Sequence, residues 1–228
     1  STKTLVLISS TKGEIDVSVA QPFESAIRHL EGKYLLKNRP IVISNACISG
    51  VAAINLGARY IRGGFYEHVI VVGCDVLSEF VLNGFQSLFA VSETFCQPFD
   101  KDRSGVNLGE GSAAVVLSST PSIFKEVPLS LLDGSISNDA NHISGPSRTG
   151  EGLYRAVKRT MSQYDIQPDQ LGFISAHGTA TIYNDEMEAI AFGRLGLAGV
   201  PINSFKGYVG HTLGAAGVLE VAYTMQCV

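Results

Sequence analysis

Ile41-Val42-Ile43-Ser44-Asn45-Ala46-Cys47-Ile48-Ser49-Gly50 runs directly into Val51-Ala52-Ala53-Ile54-Asn55-Leu56-Gly57-Ala58. The order is a short β-branched stretch, a turn carrying a cysteine, and a helix of small and apolar residues. A helix apolar almost all round belongs between layers, with no face left for water. A second stretch echoes the first: Pro201-Ile202-Asn203-Ser204 passes through His211 and Gly214 into Ala215-Ala216-Gly217-Val218-Leu219-Glu220-Val221-Ala222. Two such helices imply a thick, layered protein of two related halves. The Ser- and Pro-interrupted segment 118–128 marks the division. It gives an N-terminal half over residues 1–120, with the cysteine, and a C-terminal half over 121–228, with the histidines.

Outward from these stretches, strand-like runs are expected at 4–8, 41–44, 68–72, 113–117, 173–176 and 201–205, and helices at 22–35, 51–62, 151–164, 185–195 and 214–225. Continuous apolar runs suit strands covered on both faces. Their alternation with helices predicts an α/β fold with mixed, mainly parallel sheets. Sites in such sheets gather where strand C-terminal ends meet. The 228 residues are 45% hydrophobic and 17% charged, with a formal net charge of −4. Lys and Arg are scattered, which argues against a nucleic-acid partner. Cys47, Cys74, Cys96 and Cys227 lack the close spacing of zinc ligands and are too few for a disulfide framework. No metal centre and a reducing, cytoplasmic setting are therefore expected. No apolar run reaches the length of a bilayer span.

Cys47 alone fits a buried structural thiol as well as a nucleophile. At a helix N-terminus, backbone N–H groups favour the thiolate, the species that attacks a carbonyl carbon. Two distant histidines in glycine-rich turns favour the second reading: His177 in Ser175-Ala176-His177-Gly178-Thr179-Ala180-Thr181, and His211 in Gly210-His211-Thr212-Leu213-Gly214. One cysteine with two such histidines points to covalent thioester chemistry. Taken singly, each histidine reads more readily as a hydrogen-bonding turn residue than as a catalyst. Lys206 reads as a loop lysine, Asp185 and Glu188 as acids of a first helical turn, and Thr179 and Thr181 as hydroxyls satisfying turn backbone. Cys74, Cys96 and Cys227 are expected to be core or incidental thiols, and Phe85, Phe89 and Phe95 to pack in the core.

Seven segments in register resemble one family. They are Asn45-Ala46-Cys47-Ile48-Ser49-Gly50, the run from Gln97-Pro98-Phe99-Asp100 through Lys101-Asp102-Arg103-Ser104-Gly105, Gly109-Glu110-Gly111, Ser137-Asn138-Asp139-Ala140, His177-Gly178-Thr179, Asn184-Asp185 with Glu188, and Lys206 with His211 and Gly214-Ala215-Ala216-Gly217. Together they resemble the β-ketoacyl-acyl-carrier-protein synthases, elongating condensing enzymes of the thiolase superfamily. The resemblance implies a thiolase-like layered αβαβα fold of two similar halves and a homodimer. It implies decarboxylative Claisen condensation of acyl and malonyl thioesters delivered by acyl carrier protein. Cys47 is then the nucleophile, and His177 and His211 stabilise the enolate. Lys206 orders the site, supported by Glu188 and Asp185, and Thr179 and Thr181 face the phosphopantetheine arm. That arm arrives on the carrier protein; no cofactor is implied, although a structural cation near Glu188 is compatible.

Members of this family are longer. The sequence lacks counterparts of the opening strand and helices and of a closing Gly- and Phe-rich loop, so it reads as a piece of a longer enzyme or a compact member. A thiolase, a non-catalytic chain-length partner subunit and a non-condensing acyltransferase are the rivals. Retention of Cys47 with both histidines favours condensation. Lys33, Lys37, Arg39, Arg59 and Arg62 are candidates for a face that meets the acidic carrier protein.

Overall fold

β1 (Thr4–Ser9) is the inner strand of a four-stranded sheet ordered β2-β1-β3-β4, with β2 at Ile41–Ile43, β3 at His68–Asp75 and β4 at Gly111–Ser118. This computed structural model describes residues 1–140 and 147–228. β1 runs parallel to β2 and to β3, while β4 pairs antiparallel with β3, His68 opposite Ser118 and Asp75 opposite Gly111. A continuous apolar run makes β1 buried from Leu5 to Ser9. Leu5 and Leu7 point to one face with Val69, Val71 and Val115; Val6 and Ile8 point to the other. Period-two alternation thus feeds two cores at once.

Three helices complete this first unit, which comprises Ser1–Leu82, Gly109–Leu132 and Thr212–Val228. α1 (Glu24–Tyr34) covers the Val6 and Ile8 face through Ile27 and Leu30. α2 (Ser49–Arg62) and α7 (Ala216–Gln226) supply Ala53, Ile54 and Val218 to the other face. A 3₁₀ turn at Leu213–Ala215 leads into α7. Both apolar helices predicted from the sequence therefore lie in one core.

The second unit comprises Asn83–Leu108 and Asp133–His211. It contains α4 (Glu151–Gln163), β5 (Ile174–Ser175), α5 (Ile182–Arg194), β6 (Ile202–Asn203) and the single-turn α6 (Lys206–Val209). β5 and β6 are parallel and two residues long. Leu153, Val157 and Met161 of α4 pack with Phe192 of α5, Ala176 and Leu197. Asp139 accepts from the N–H groups of Ser147 and Gly152, at 2.5 and 2.9 Å, and so caps the start of α4. α3 (Glu79–Ser87), unmarked in the sequence, buries only Val81. The packed units and the sequence halves 1–120 and 121–228 are different divisions, because α7 packs with the strands of the first unit.

No helix among the described residues is long and apolar enough to cross a membrane.

Where α2 meets α7, glycines set the separation. A Cβ on Gly50 would lie 2.6 Å from the Val218 nitrogen, and one on Gly217 would lie 2.8 Å from that of Val51. Both obstacles are backbone, so neither can swing aside. Gly217→Ala is expected to lower stability by about 1–3 kcal/mol, as overpacking in a filled core does, measured by urea unfolding of the two proteins.

Candidate active site

In the first unit, the Cys47 turn is shaped by one side chain. Ser49, fully buried at the start of α2, accepts from the Asn45 N–H at 2.8 Å and donates to the Ala46 carbonyl at 2.6 Å. That pair of bonds closes the turn over Ala46, whose φ of 46° lies in the left-handed region. Cys47 is half-buried two residues before α2. The chain thus delivers a thiol to the N-terminal end of α2, where the helix dipole favours negative charge.

In the second unit, the His177 loop links β5 to α5, and two carboxylates of α5 turn back to hold it. Glu188 accepts from the N–H groups of His177 (2.8 Å) and Gly178 (2.7 Å), and from the Asn184 amide (3.0 Å). Asp185 accepts from the N–H groups of Thr179 (3.1 Å) and Phe99 (2.8 Å), and from Asn184 (3.2 Å). Both acids are 2% exposed, so the N–H groups they accept from are what satisfies them. Burial pushes the Glu188 carboxyl up, against the pull of its two backbone donors. Gly178 has φ +41°, and a Cβ there would lie 2.6 Å from Cβ of Ser204. Ser204 Oγ closes the loop from the other side, donating to the Gly178 carbonyl at 2.8 Å.

His211 comes to the same place from the end of the second unit. Its N–H donates to the Asn107 carbonyl at 2.7 Å, and its ring meets His177 edge-on, centroids 5.2 Å apart at 84°. Phe85 backs His211 at 6.3 Å, also edge-on. Burial first, then the Lys206 charge, lowers the His211 pKa to about 3. His177 is likewise held well below its ordinary value by burial, by Lys206 and by His211. Lys206 itself is 1% exposed. The result is two neutral imidazoles, each with one N–H to donate, beside a fixed positive charge.

Of the residues expected from sequence, the second unit therefore gathers His177, His211, Lys206, Asp185, Glu188, Thr179 and Thr181. The two threonine hydroxyls bond each other at 2.8 Å. Arg103 supports Asp185 from 3.7 Å and donates to the carbonyls of Asp100 and Ile182. Cys96 is buried, its thiol 3.7 Å from the Thr179 carbonyl, while Cys74 and Cys227 are exposed. Phe85 packs as expected, but Phe89 and Phe95 do not: they are 93% and 85% exposed. Phe89 sits at φ 52° in a turn after α3, which directs its ring outward. Sequence reading passed over Ser204 and Asn107. The Asn107 amide accepts from the Cys96 N–H (2.7 Å) and donates to the Thr94 carbonyl (2.9 Å), bracing the segment that carries His211. Nothing local in the sequence marks either residue, because each acts on a chain segment remote from its own.

Two family descriptions match this chain: "Beta-ketoacyl synthase, N-terminal domain" over residues 33–122, and "Beta-ketoacyl synthase, C-terminal domain" over residues 130–228. Among curated relatives, 3-oxoacyl-acyl-carrier-protein synthase 2 of Coxiella burnetii is 32% identical over 207 residues, covering 85% of this chain and 50% of its own. The ketoacyl synthase alpha subunit of the Streptomyces glaucescens tetracenomycin polyketide synthase is 32% identical over 194 residues, covering 79% and 46%. Among solved structures, a Xenorhabdus doucetiae ketosynthase in complex with its chain length factor superposes with a TM-score of 0.86 at 31% identity, covering 98% of this chain and 60% of that one. The chain spans about half the length of these curated relatives.

The depressed histidines carry a pH signature. Below about pH 6.5 the unfolded chain takes up protons on His177 and His211, whereas the folded protein resists doing so until far lower pH, about 3 for His211. The unfolded state then binds more protons, so this contribution to stability is intact above pH 6.5 and is lost as pH falls. Each histidine tilts the stability curve by up to about 1.4 kcal/mol per pH unit. Urea unfolding between pH 7 and 4 should show that slope, and His211→Asn should flatten it.

Proposed function

The chain belongs to the β-ketoacyl synthase family, and on that premise we propose that it catalyses, alone or within a longer protein, the condensing step of a 3-oxoacyl-acyl-carrier-protein synthase. The observation that carries this reading is the pair of neutral imidazoles, His211 buried and His177 half-buried, meeting edge-on at 5.2 Å near a buried lysine. Such a pair offers two N–H donors to one developing oxyanion.

In the proposed reaction the Cys47 thiolate attacks an acyl thioester, with an oxyanion held by backbone N–H groups that include its own. The C–S bond to Cys47 forms and the carrier thiol leaves. Malonyl thioester then loses carbon dioxide, and the electron pair of the broken C–C bond becomes an enolate whose oxygen accepts from His177 and His211. The enolate carbon attacks the acyl-cysteine, and the Cys47 thiolate is expelled. A donor aimed at such an oxygen contributes roughly 3–4 kcal/mol to the transition state. Protonated imidazoles would pay desolvation on each cycle, so neutrality suits the role. Thr179 and Thr181 are assigned to the amide-rich phosphopantetheine arm, and Lys206 to holding the electrostatic balance of the pair.

Acyl carrier protein is the proposed partner, consistent with the printed name of the Coxiella burnetii relative. Arg59 and Arg62, in the last turn of α2, are candidates for its acidic surface, as are Lys33, Lys37 and Arg39. Arg39 pairs with Glu24 at 2.7 Å and Glu31 at 3.6 Å. We further propose a homodimer, a cytoplasmic setting suited to four free thiols, and chemistry without a cofactor. The three N–H donors on Glu188 satisfy its carboxylate, which weakens the case for a cation there. The rival reading, a chain-length partner subunit, draws on the chain length factor in the Xenorhabdus doucetiae complex. Cys47, His177 and His211 together favour the synthase.

Intact mass spectrometry after incubation with an acyl-carrier thioester should show an acyl adduct in the wild type and none in Cys47→Ala. Adding malonyl-carrier should discharge it to a β-keto product two carbons longer. His177→Ala or His211→Ala should keep the adduct and slow its discharge by about 10²- to 10³-fold. A persistent adduct in the wild type would identify a non-condensing transferase, and no adduct a partner subunit.

A further inference from the structure

A lysine buried to 6% exposure lies outside the machinery described so far. Lys12 follows β1, and full burial of a lysine demands a partner. Its ammonium donates to the Val76 carbonyl at 2.6 Å and lies 3.5 Å from Asp75 Oδ1. Asp75, 3% exposed at the end of β3, is the hub of the surrounding loops. It accepts from Ser10 Oγ (2.6 Å), from the Thr11 N–H and hydroxyl (2.8 Å each), and from the Gly214 N–H (2.8 Å).

The strap from Ser9 to Gly13 that this pair organises touches two turns of consequence. On one side Gly214 is held at both its polar groups, the carbonyl by the Ser9 hydroxyl of the strap and the N–H by Asp75. A Cβ on Gly214 would come 2.7 Å from Ser10 Cα, so the fit leaves no slack. Gly214 is three residues past His211 in the chain. On the other side the strap holds the approach to Cys47: Ser44 Oγ donates to the Thr11 carbonyl at 2.9 Å, and the Ser10 N–H donates to the Ile43 carbonyl at 3.3 Å. Ser10 Oγ also accepts from the Gly13 N–H at 3.0 Å, which folds the strap onto itself.

We infer that Lys12 is a positioning residue: paired with Asp75, it fixes the Ser9–Gly13 strap, and the strap sets the turn that presents Cys47. The lysine touches no reacting atom. Without its charge the Asp75 carboxylate is left buried with hydrogen-bond donors but no counter-ion. The strap then loosens, and Ser44 with it. This rests on the role proposed for Cys47, so the two must be separable by experiment.

The test is the pH profile of Cys47 alkylation by iodoacetamide, followed site by site by mass spectrometry, with the exposed thiol of Cys227 as the internal reference. Wild type, Lys12→Met, Lys12→Arg, Ser44→Ala and Asn38→Ala are compared, with unfolding measured for each. Asn38 ties β1 from its other end through the carbonyls of Thr2 and Thr4, so its loss costs stability without touching the strap. Lys12→Met should slow Cys47 alkylation at neutral pH about tenfold and move its profile up by about one pH unit. Lys12→Arg should recover part of this, Ser44→Ala should move the profile in the same direction, and Asn38→Ala should leave it in place. A folded Lys12→Met or Ser44→Ala with the wild-type profile overturns the inference, as does an equal shift in Asn38→Ala. If Lys12→Met does not fold, Ser44→Ala decides. If Cys47 in the wild type reacts no faster than Cys227, the role proposed for Cys47 fails, and the inference with it.

Discussion

Backbone lies directly against backbone where Gly50 meets Gly217, and this close approach of α2 and α7 is the constraint from which the first unit is built. No side chain intervenes, so the separation of the helices is set by main-chain atoms that cannot adopt another rotamer. The N-terminal turns of both helices are thereby fixed relative to each other and to the sheet they cover. Gly73 of β3 extends the same logic, because a Cβ there would lie 2.9 Å from the Val218 side chain. Cys47 lies two residues before one of the two helices. The 3₁₀ turn that follows His211 begins the other.

In the second unit the organising force is electrostatic rather than steric. The side chains of Asp185 and Glu188 turn back to accept from two main-chain N–H groups each, three of the four in the loop before their helix. Charge and geometry are coupled through that exchange: the carboxylates are buried because the loop satisfies them, and the loop keeps its shape because they are there. The imidazoles stay neutral for the opposite reason, since both are shielded from water and the Lys206 charge would repel a second positive charge. Acids that hold and bases that stay uncharged make the site a fixed array of donors.

Much of this was legible in the sequence. β1, β2, β3, β4, α1, α2, α4, α5 and α7 fall within a few residues of their expected places, because long apolar or amphipathic runs carry their own period. α3 was missed: its apolar residues are clustered rather than spaced, Gly84 interrupts it, and only Val81 is buried. β5 and β6 are shorter than expected because the chain curls away into loops held by side chains. His177, His211, Lys206, Asp185 and Glu188 were found through motif register. Asn107, Ser204 and the Lys12–Asp75 pair were not. Asp75 meets Gly214 across 139 positions of sequence, a distance over which no periodicity speaks.

The discontinuity of the first unit has a consequence for the order of events at synthesis. Its core needs Val218, and its hub carboxylate needs Gly214, yet both are made after every residue of the second unit. The second unit also has long-range bonds, Asn107 with His211 among them, but its histidine loop closes through neighbours in sequence, Glu188 with His177, eleven residues apart. Closing loops of that size is entropically cheap, while joining residue 9 to residue 214 is not. The histidine loop can therefore close locally, while the Leu5 and Leu7 face of the sheet, already met by Ala53 and Ile54 of α2, is completed only when Val218 joins it.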